Sequence, residues 1–156
     1  MLRVVKVRLY PTSKQKMLLL KTFGSCRFVY NLMLDKKIET YRKDKTSLST
    51  FSLINELPIL KKENFDWLKE VDSTSLQQSI KNMDKAYQGF FKGGDFPKFK
   101  SRHQLTQSYQ TTNAKIVDNN SIKLPKHNGK EVGLDIGVKK LATLSDGTEF
   151  RRLHLL

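Results

Sequence analysis

The sequence predicts an α+β fold, because apolar residues alternate near both ends of the chain and recur at helical spacing between them. Alternation at every second position is typical of strands with one buried face, and it occurs in residues 1–10 and 131–137. Steps of three and four positions are typical of amphipathic helices. The most regular steps are at Leu76, Ile80, Met83, Tyr87 and Phe90. We therefore expect helices in the middle of the chain and strands on either side of them.

The chain carries a large excess of positive charge, with 29 Lys and Arg residues, 15 Asp and Glu residues and a formal net charge of +14. Such an excess repels itself in a compact state, and a polyanionic partner would offset the repulsion. Nucleic acid fits best, because each neutralised phosphate releases a counterion; an acidic membrane surface is the lesser alternative. A soluble basic protein without such a partner also stays open. The 156 residues, 38% of them hydrophobic, can bury one ordinary core or two small lobes that share an interface.

Residue usage excludes several kinds of site. Cys26 is the single cysteine of the sequence, so an internal disulfide and a cysteine-based zinc site cannot form. His103, His127 and His154 show no metal-ligand spacing. The N-terminus does not resemble a signal peptide, and no apolar run approaches the ~20 residues of a membrane span. We therefore expect a cytoplasmic protein with no membrane partner and no disulfide partner.

The N-terminal part of the sequence has the outline of a strand followed by two helices. Residues 1–10 alternate as a strand, and Thr12 with Gln15 forms a capping box that begins a helix. Gly24 is expected to end this helix, and a second helix is expected from Ser25. Two helices joined at a glycine outline a DNA-reading helix-turn-helix, although any helical hairpin has the same outline.

The middle of the sequence predicts short pieces and then a long helix. Residues 42–50 are polar and predict a loop, and residues 51–57 predict a short helix that Pro58 stops. Residues 59–68 form a second amphipathic piece. The long helix that follows is expected to have its cap at Thr74 and to end at two consecutive glycines.

Four side chains on these helices are candidates for nucleic-acid contact. Arg27 and Asn31 lie one turn apart, so they could reach the same phosphate or the same hydrogen-bond network. Lys85 and Lys92 lie off the apolar stripe of the long helix and are candidates for phosphate contact. The apolar stripe itself is expected to be core.

Residues 96–102, called the basic segment below, interleave aromatic rings with cations in the order FPKFKSR. An extended backbone would put Lys98, Lys100 and Arg102 on one side, where they could grip a sugar-phosphate chain while the two phenylalanines anchor or stack. The alternative is a proline-containing loop in which both phenylalanines are buried.

The C-terminal part of the sequence predicts strands that carry one isolated acid. Residues 109–115 and 121–124 are expected to form two strands about a turn, and residues 131–137 and 141–144 are expected to form a hairpin. Asp135 shares its face of the strand with two glycines, which leaves open space for a metal ion, a phosphate or a nucleic-acid backbone. An edge residue with a structural role is the alternative.

Four stretches of the sequence resemble the TnpB (OrfB) proteins of bacterial and archaeal insertion sequences. They are LYPTSKQKMLLLKTFGSCRFVYNLML, the stretch from Trp67 through Phe91 that ends in FFKG, FPKFKSR and GLDIGVKKLATLSDG. The resemblance implies a helical recognition lobe inserted in a partial β-barrel-like wedge domain, followed by the first β-hairpin of an RNase H-like (RuvC) domain. In this chain the wedge would comprise residues 1–10 and 96–130, the helical lobe residues 11–95, and the RuvC-like hairpin residues 131–156.

The resemblance also implies an RNA-guided DNA endonuclease of a transposon, with a guide RNA from the transposon end and target DNA as partners. Asp135 would be one of three carboxylates that hold divalent metal, with Mg²⁺ as the cofactor. Gln77 would face the short duplex motif beside the target, and a Gln amide can bond adenine bidentately. Thr112 and Asn113 match a Thr-Asn pair of the family and could carry polar contacts to nucleic acid. The basic segment would lead back into the wedge that holds guide RNA.

Two departures from the family pattern change the expected mechanism. The first departure is at residues 127–130, which stand where the family has several more wedge strands. The second is at the end of the sequence, which stops after the first RuvC-like hairpin. The further Glu and Asp of the metal site and the CxxC zinc element are therefore not in this sequence. An internally deleted and truncated member would explain both departures. Hydrolysis by two metals needs several carboxylates around ions about 4 Å apart. We therefore expect a chain that binds nucleic acid without cutting it and does not bind Mg²⁺ productively.

Two other interpretations stay open, and a third is disfavoured. A helix-turn-helix DNA-binding regulator would use residues 13–34, and a non-functional remnant of a decayed gene would have no stable fold. The hairpin motif around Asp135 also occurs in actin-like ATPases and sugar kinases. Val138 and Lys139 speak against these enzymes, because they stand where a Thr or Ser usually contacts phosphate.

Overall fold

The computed structural model describes residues 8–103, 107–118, 121–127, 130–137, 140–143 and 149–151. Its elements, in chain order, are β1 (Arg8–Tyr10), α1 (Ser13–Asp44), α2 (Thr50–Glu63), a 3-10 helix (Asp66–Glu70), α3 (Ser73–Phe90), β2 (Lys115–Asp118), β3 (Ser121–His127), β4 (Lys130–Gly137), β5 (Lys140–Thr143) and β6 (Glu149–Arg151). This mixture confirms the predicted α+β class, whereas the wedge and RuvC-like domains stay predictions. The first seven positions of the predicted N-terminal strand lie outside the described residues. No helix within the described ranges is long and apolar enough to cross a membrane.

Helix α1 is a single helix of 32 residues that begins with the predicted capping box. The Thr12 Oγ1 accepts a hydrogen bond from the Gln15 N–H at 3.4 Å, and the Gln15 Oε1 accepts one from the Thr12 N–H at 2.7 Å. The predicted break at Gly24 is wrong, because the helix continues through this residue. A glycine inside a helix costs only about 1 kcal/mol relative to alanine. The burial of Val29 and Met33 on the next two turns contributes more than that.

The loop predicted at residues 42–50 is partly wrong, and the helix stop predicted at Pro58 is wrong. Helix α1 enters the predicted loop and ends at Asp44, and its C-cap Lys45 adopts a left-handed conformation with φ of 55°. Helix α2 continues through Pro58, although a proline there removes one intrahelical hydrogen bond. Leu57 before the proline is buried, and Leu60 beyond it packs against the same core. Packing on both sides therefore holds α2 together.

Helix α3 forms where the sequence predicted the long helix, but its cap is Asp72 and not Thr74. Asp72 Oδ2 accepts hydrogen bonds from the backbone N–H and the hydroxyl of Ser75, each at 2.9 Å. The Thr111 hydroxyl donates to the same oxygen at 3.4 Å. The helix ends at Phe90, three residues before the predicted glycine pair, and Gly93 in the following turn adopts a φ of +90° that favours glycine.

The core lies between the three α-helices and the 3-10 helix. Helices α1 and α3 run in the same direction, since Cys26 contacts Ser75 and, further along both helices, Lys37 contacts Asp84. The predicted apolar stripe of α3 is confirmed as core, apart from Phe90, which is exposed. The fully buried large side chains are Val29, Met33, Leu34, Leu53, Leu68, Leu76, Ile80 and Met83.

A buried ion pair between Lys37 and Asp84 joins α1 to α3. The Lys37 ammonium also lies 4.7 Å from the centre of the Tyr87 ring, and the Gln88 amide donates to Asp84 at 2.6 Å. Burial acts to raise the pKa of Asp84, but hydrogen bonds from Lys37 and Thr50 outweigh it and hold that pKa below its usual value. The Asp84 carboxyl is therefore ionised at neutral pH.

Four strands form one antiparallel sheet in the order β1-β4-β3-β2, so that β4 has a neighbour on each side. The strand predicted at residues 121–124 is confirmed and extends to His127. The strand predicted at residues 109–115 is wrong, because β2 begins only at Lys115. Side-chain hydrogen bonds to α3 hold part of the preceding segment, including Asn113, outside the sheet.

The hairpin predicted between residues 131–137 and 141–144 is wrong in its pairing. Both strands exist, as β4 and β5, but β4 pairs with β1 and β3, and β5 pairs with β6 in a separate two-stranded sheet. Strand β1 occupies the edge of β4 that β5 would need. The sequence Asn128-Gly129, which links β3 to β4, is among the most favoured two-residue hairpin loops.

Candidate nucleic-acid interface

The outer face of α3 carries a row of polar and basic side chains. Gln77, Lys81 and Lys85 follow at intervals of four, so they line one face of the helix over about 12 Å. Lys92 stands just beyond the end of the helix; the three lysines are exposed and Gln77 is half-buried. We call these four residues the α3 stripe. The sequence prediction left out Lys81, although its spacing from Gln77 was visible in the sequence.

The segment with the predicted Thr-Asn pair lies against the beginning of α3. The Nδ2 of Asn113 donates to the Thr74 Oγ1 at 3.0 Å, and Thr112 beside it is exposed. Thr74 and Gln77 are one helical turn apart on the same face. The structure therefore brings Thr112 and Asn113 to the end of the helix where the α3 stripe begins.

Two predicted contact residues of α1 hold the basic segment and the residues after it. The Asn31 Nδ2 donates to the Lys100 carbonyl at 2.9 Å, and the Asn31 Oδ1 accepts from the Lys100 N–H at 2.8 Å. The Arg27 Nη1 donates to the Gln107 Oε1 at 3.1 Å, and the Gln107 Nε2 donates to the Arg102 carbonyl at 2.9 Å. Arg27 and Asn31 thus act on the same stretch of backbone.

The three cations of the basic segment do not share one side, in contrast to the prediction from extended spacing. Lys98 and Arg102 are exposed, whereas Lys100 is half-buried with its Nζ 4.3 Å from the centre of the Tyr30 ring. Burial lowers the pKa of Lys100. The reason for the difference is the clamp by Asn31, which fixes the backbone of Lys100 against α1.

The aromatic residues of the basic segment are open to solvent. Phe96 is 42% exposed and Phe99 is 51% exposed, whereas Pro97 between them is buried. The alternative in which both phenylalanines are buried is therefore wrong. Both rings remain accessible to a ligand.

A polar cavity of about 250 Å³ lies between α1, α3, Lys100 and residues 108–110. Cys26 lies in its wall, where its thiol donates to the Ser75 carbonyl at 3.6 Å. Burial raises the pKa of the Cys26 thiol to about 12, so the group is protonated and unreactive at neutral pH. The other residues around the cavity are Ser79, Asn82, Lys100, Ser108, Tyr109 and Gln110.

Asp135, the predicted metal ligand, lies in the middle strand of the larger sheet. Its partners in register are Tyr10 of β1 and Ser121 of β3. A two-metal site needs several carboxylates around the ions, and neither partner supplies one. The part of the chain that the structure describes contains no group of three or more His, Cys, Asp or Glu residues that could hold a metal ion. The two register partners of Asp135 therefore add no second carboxylate beside it.

Comparison with known proteins identifies the N-terminal part of this architecture. The family model of a helix-turn-helix domain of OrfB proteins matches residues 1–46. In this chain the match covers β1 and all of α1, which is one uninterrupted helix. The recognised unit therefore does not have its turn at Gly24.

Three similar proteins cover different parts of the chain. InsQ of Escherichia coli, named as an RNA-guided DNA endonuclease, is 30% identical, and the match covers 98% of this chain and 50% of InsQ. A protein of Streptomyces pristinaespiralis named in the same way is 34% identical over 70% of this chain and 28% of its own length. The virulence protein VsdF of Salmonella dublin is 37% identical over 66% of this chain and 96% of its own length.

The chain spans about half the length of InsQ and less of the Streptomyces protein. The alignment with InsQ extends over 199 positions, more than the 156 residues of this chain, so InsQ has residues between the matched parts that have no counterpart here. The matches to the family model and to both endonucleases agree with the sequence motifs near Tyr10, Phe90 and Asp135. These similarities show that the chain belongs to the TnpB (OrfB) family of insertion-sequence transposons.

Proposed function

We propose that this transposon-encoded protein holds a guide RNA and its DNA target, and that it binds them without cutting. The observation that carries the proposal is the α3 stripe, which begins beside Thr112 and Asn113 and continues along exposed lysines. The net charge of +14 supplies the long-range attraction to a polyanion. The names of InsQ and the Streptomyces protein support RNA guidance and DNA as the partners.

The beginning of the α3 stripe is suited to reading a base pair. The amide of Gln77 can donate and accept at once, as an adenine edge requires. Asn113 is held beside it by the bond to Thr74, so that two polar side chains approach the same place on a duplex. Lys81 and Lys85 lie further along the helix and would bind phosphates, which fixes the position of the duplex without reading its sequence.

The basic segment is suited to holding RNA. Lys98 and Arg102 are exposed, and the clamp by Asn31 keeps the backbone between them in place. A preorganised segment loses less conformational entropy on binding than a free one. Phosphates of a bound strand would therefore meet cations whose positions are already fixed.

The register around Asp135 supports binding without cutting. Tyr10 and Ser121 lie opposite it, and neither can share a divalent ion as a carboxylate would. Mg²⁺ in this family is implied by the resemblance, and we assign it no step in this chain. A purified chain that cleaves target DNA in magnesium without any partner would contradict this part of the proposal.

A salt titration tests the binding itself. We expect the purified chain to bind RNA from the neighbouring transposon end, with an affinity that falls steeply as salt rises, because several phosphates are neutralised. The Lys81→Gln/Lys85→Gln double variant should reduce the slope of log K against log salt by about 2 for duplex DNA, one for each lost phosphate contact. Glu39→Gln is a control on α1 and should leave the slope near that of the parent or increase it.

Two results would contradict the proposal. One is a chain that retains neither RNA nor DNA at about 50 mM salt, where phosphate contacts are strong. The other is equal affinity for transposon-end RNA and unrelated duplex DNA, which would leave no role for a guide. If the double variant has the same slope of log K against log salt as the wild type, the α3 stripe does not contact nucleic acid.

A second candidate function is a DNA-binding regulator, because the family model that matches residues 1–46 describes a helix-turn-helix domain. Such a regulator would protect specific sites at the transposon ends without RNA. Footprinting with and without RNA, and with Arg27→Ala, separates the two functions. Protection in the absence of RNA that Arg27→Ala abolishes would favour the regulator.

A further inference from the structure

Four aromatic rings meet where α3 ends and the basic segment begins. The Tyr87 ring centre lies 5.5 Å from that of Phe91 and 5.9 Å from that of Phe96. The Phe90 ring centre lies 5.4 Å and 5.2 Å from the same two rings. We call these four residues the aromatic cluster. Each pair is edge-to-face, so the rings form a continuous surface and are not isolated side chains.

Three rings of the aromatic cluster are open to solvent. Phe91 is 66% exposed, and Phe90 and Phe96 are about 40% exposed. Tyr87 is buried in the core and holds the cluster in place. Phenylalanine is mostly buried in folded proteins, and contiguous exposed apolar surface marks a binding site. The hydrophobic effect therefore favours an occupant on this surface.

Two exposed lysines and one exposed acid flank the aromatic cluster in the sequence. Lys92 follows Phe91 directly and Lys98 follows Phe96 by two positions, and both are exposed. Asp95, also exposed, is the acid between them in sequence. An apolar protein partner would desolvate the two ammonium groups without compensation. A nucleic-acid strand offers bases to the rings and phosphates to the lysines.

We propose that the aromatic cluster binds unpaired nucleotides, with bases stacked on Phe91 and Phe96 and adjoining phosphates on Lys92 and Lys98. This inference rests on the proposed function and deepens it, because it names a single-stranded part of the bound nucleic acid as the occupant. In a duplex the faces of the bases are covered by their neighbours. Only an unpaired base can offer its face to an exposed ring.

Stacking and ion contacts respond differently to salt, and this difference makes the inference testable. An ion contact releases a counterion, so its loss lowers the slope of log K against log salt. Loss of a stacked ring lowers affinity at every salt concentration and leaves the slope unchanged. Removal of one stacking ring typically weakens single-strand binding by about 5-fold to 150-fold, the equivalent of 1–3 kcal/mol.

The experiment compares four proteins on two ligands. Wild type, Phe91→Ala, Lys92→Gln and the control Phe51→Ala are titrated with an oligonucleotide of about 12 nucleotides and with the same sequence as a duplex, at salt concentrations from about 50 to 200 mM. Phe51 is 73% exposed on α2 and lies outside the aromatic cluster, so it reports the effect of removing an exposed ring elsewhere. Circular dichroism checks that each variant has the helix content of the wild type.

We expect Phe91→Ala to weaken single-strand binding at least about 5-fold at all salt concentrations with an unchanged slope, and to leave duplex binding unchanged. Lys92→Gln should lower the slope for the single strand by about 0.7, and Phe51→Ala should resemble the wild type. The inference is overturned if Phe91→Ala binds the single strand as tightly as the wild type does. It is overturned as well if the variant loses the same factor of affinity for the single strand and for the duplex. It is also overturned if Phe91→Ala instead abolishes self-association in sedimentation, which would make a second copy the occupant. In each of these cases wild-type binding persists, so the proposed function stands; loss of all wild-type binding defeats both.

Discussion

Asn31 makes two hydrogen bonds to the backbone of one residue, Lys100, and this geometry decides what its side chain does. Each of its two polar atoms is already bonded to protein. We therefore interpret Asn31 as a positioning residue, whereas Lys98 and Arg102, which are exposed, are the candidates for direct phosphate contact. From its position on the helix alone, Asn31 was predicted to contact nucleic acid directly.

Asn31→Ala should loosen the basic segment without changing the charge of the protein. Loss of both bonds leaves the Lys100 N–H and carbonyl without their partner, at a cost of about 1–3 kcal/mol. Limited trypsin digestion should then cleave after Lys98 and Lys100 faster than in the wild type, as mass spectrometry would show. Asn64→Ala, at an exposed position at the end of α2, is the matched control. Unchanged cleavage rates would mean that Asn31 does not hold the segment.

Because the Cys26 thiol is buried, we expect the free energy of unfolding to depend on pH in the alkaline range. Burial raises its pKa from the ordinary value of 9.0 to about 12 in the folded chain. A raised pKa means that the stabilising contribution is complete below about pH 9 and is lost as pH rises toward 12. We expect the free energy of unfolding to fall more steeply over this range in the wild type than in Cys26→Ala, as urea titrations at several pH values would measure. Parallel curves for the two proteins would contradict the assignment.

At the scale of elements, the continuity of α1 sets the geometry of the interface. One helix carries Arg27, Asn31 and Tyr30, which hold the basic segment, and further along Lys37, which pairs with α3. A turn at Gly24 would instead let two helices move independently. Because the helix is unbroken, the capping box at Thr12 and the pair with Asp84 belong to the same rigid element.

Gly24→Ala tests this continuity directly. A Cβ at Gly24 would meet no atom within 4 Å, so alanine fits and should stabilise the helix by about 0.5–1 kcal/mol. Gly93→Ala is the matched control, because its φ of +90° is strained for alanine and the substitution should destabilise. Chemical denaturation measures both changes. Destabilisation by Gly24→Ala would mean that the residue adopts a turn conformation that requires glycine.

At the scale of the whole molecule, the net charge of +14 opposes folding and favours binding. Three ion pairs of the described residues lie at the surface, where each contributes only about 0–1 kcal/mol. The 29 basic residues outnumber the 15 acidic ones, so much of the positive charge has no negative counterpart in the sequence. A bound polyanion would remove the repulsion.

The triple variant Lys81→Gln/Lys85→Gln/Lys92→Gln should separate these two effects. It lowers the formal charge by three, so its thermal midpoint at low salt should rise slightly, while its affinity for nucleic acid falls. Salt should raise the midpoint of the wild type more than that of the variant, because screening reduces repulsion. Scanning calorimetry at about 20 mM and 200 mM salt measures the difference. A variant with a lower midpoint at low salt would show that these lysines stabilise the fold.

The family could be predicted from the sequence because its motifs are local. The capping box at Thr12, the apolar stripe of α3 and the glycines around Asp135 follow from short-range chemistry, and so does the α+β class. Charge composition indicated a polyanionic partner for the same reason, since net charge does not depend on the fold.

Only the tertiary structure decided which local signals were overridden and which side chains meet. Packing of α1 and α2 against a common core outweighs costs of about 1 kcal/mol for Gly24 and about 3 kcal/mol for Pro58, so both helices continue where the sequence predicted ends. Strand β4 pairs with β1, from the other end of the chain, and this pairing excludes the predicted hairpin. The bonds from Asn31 to Lys100 and from Asn113 to Thr74 join residues that are 69 and 39 positions apart. Local sequence cannot specify such contacts, because they depend on how the whole chain folds back on itself.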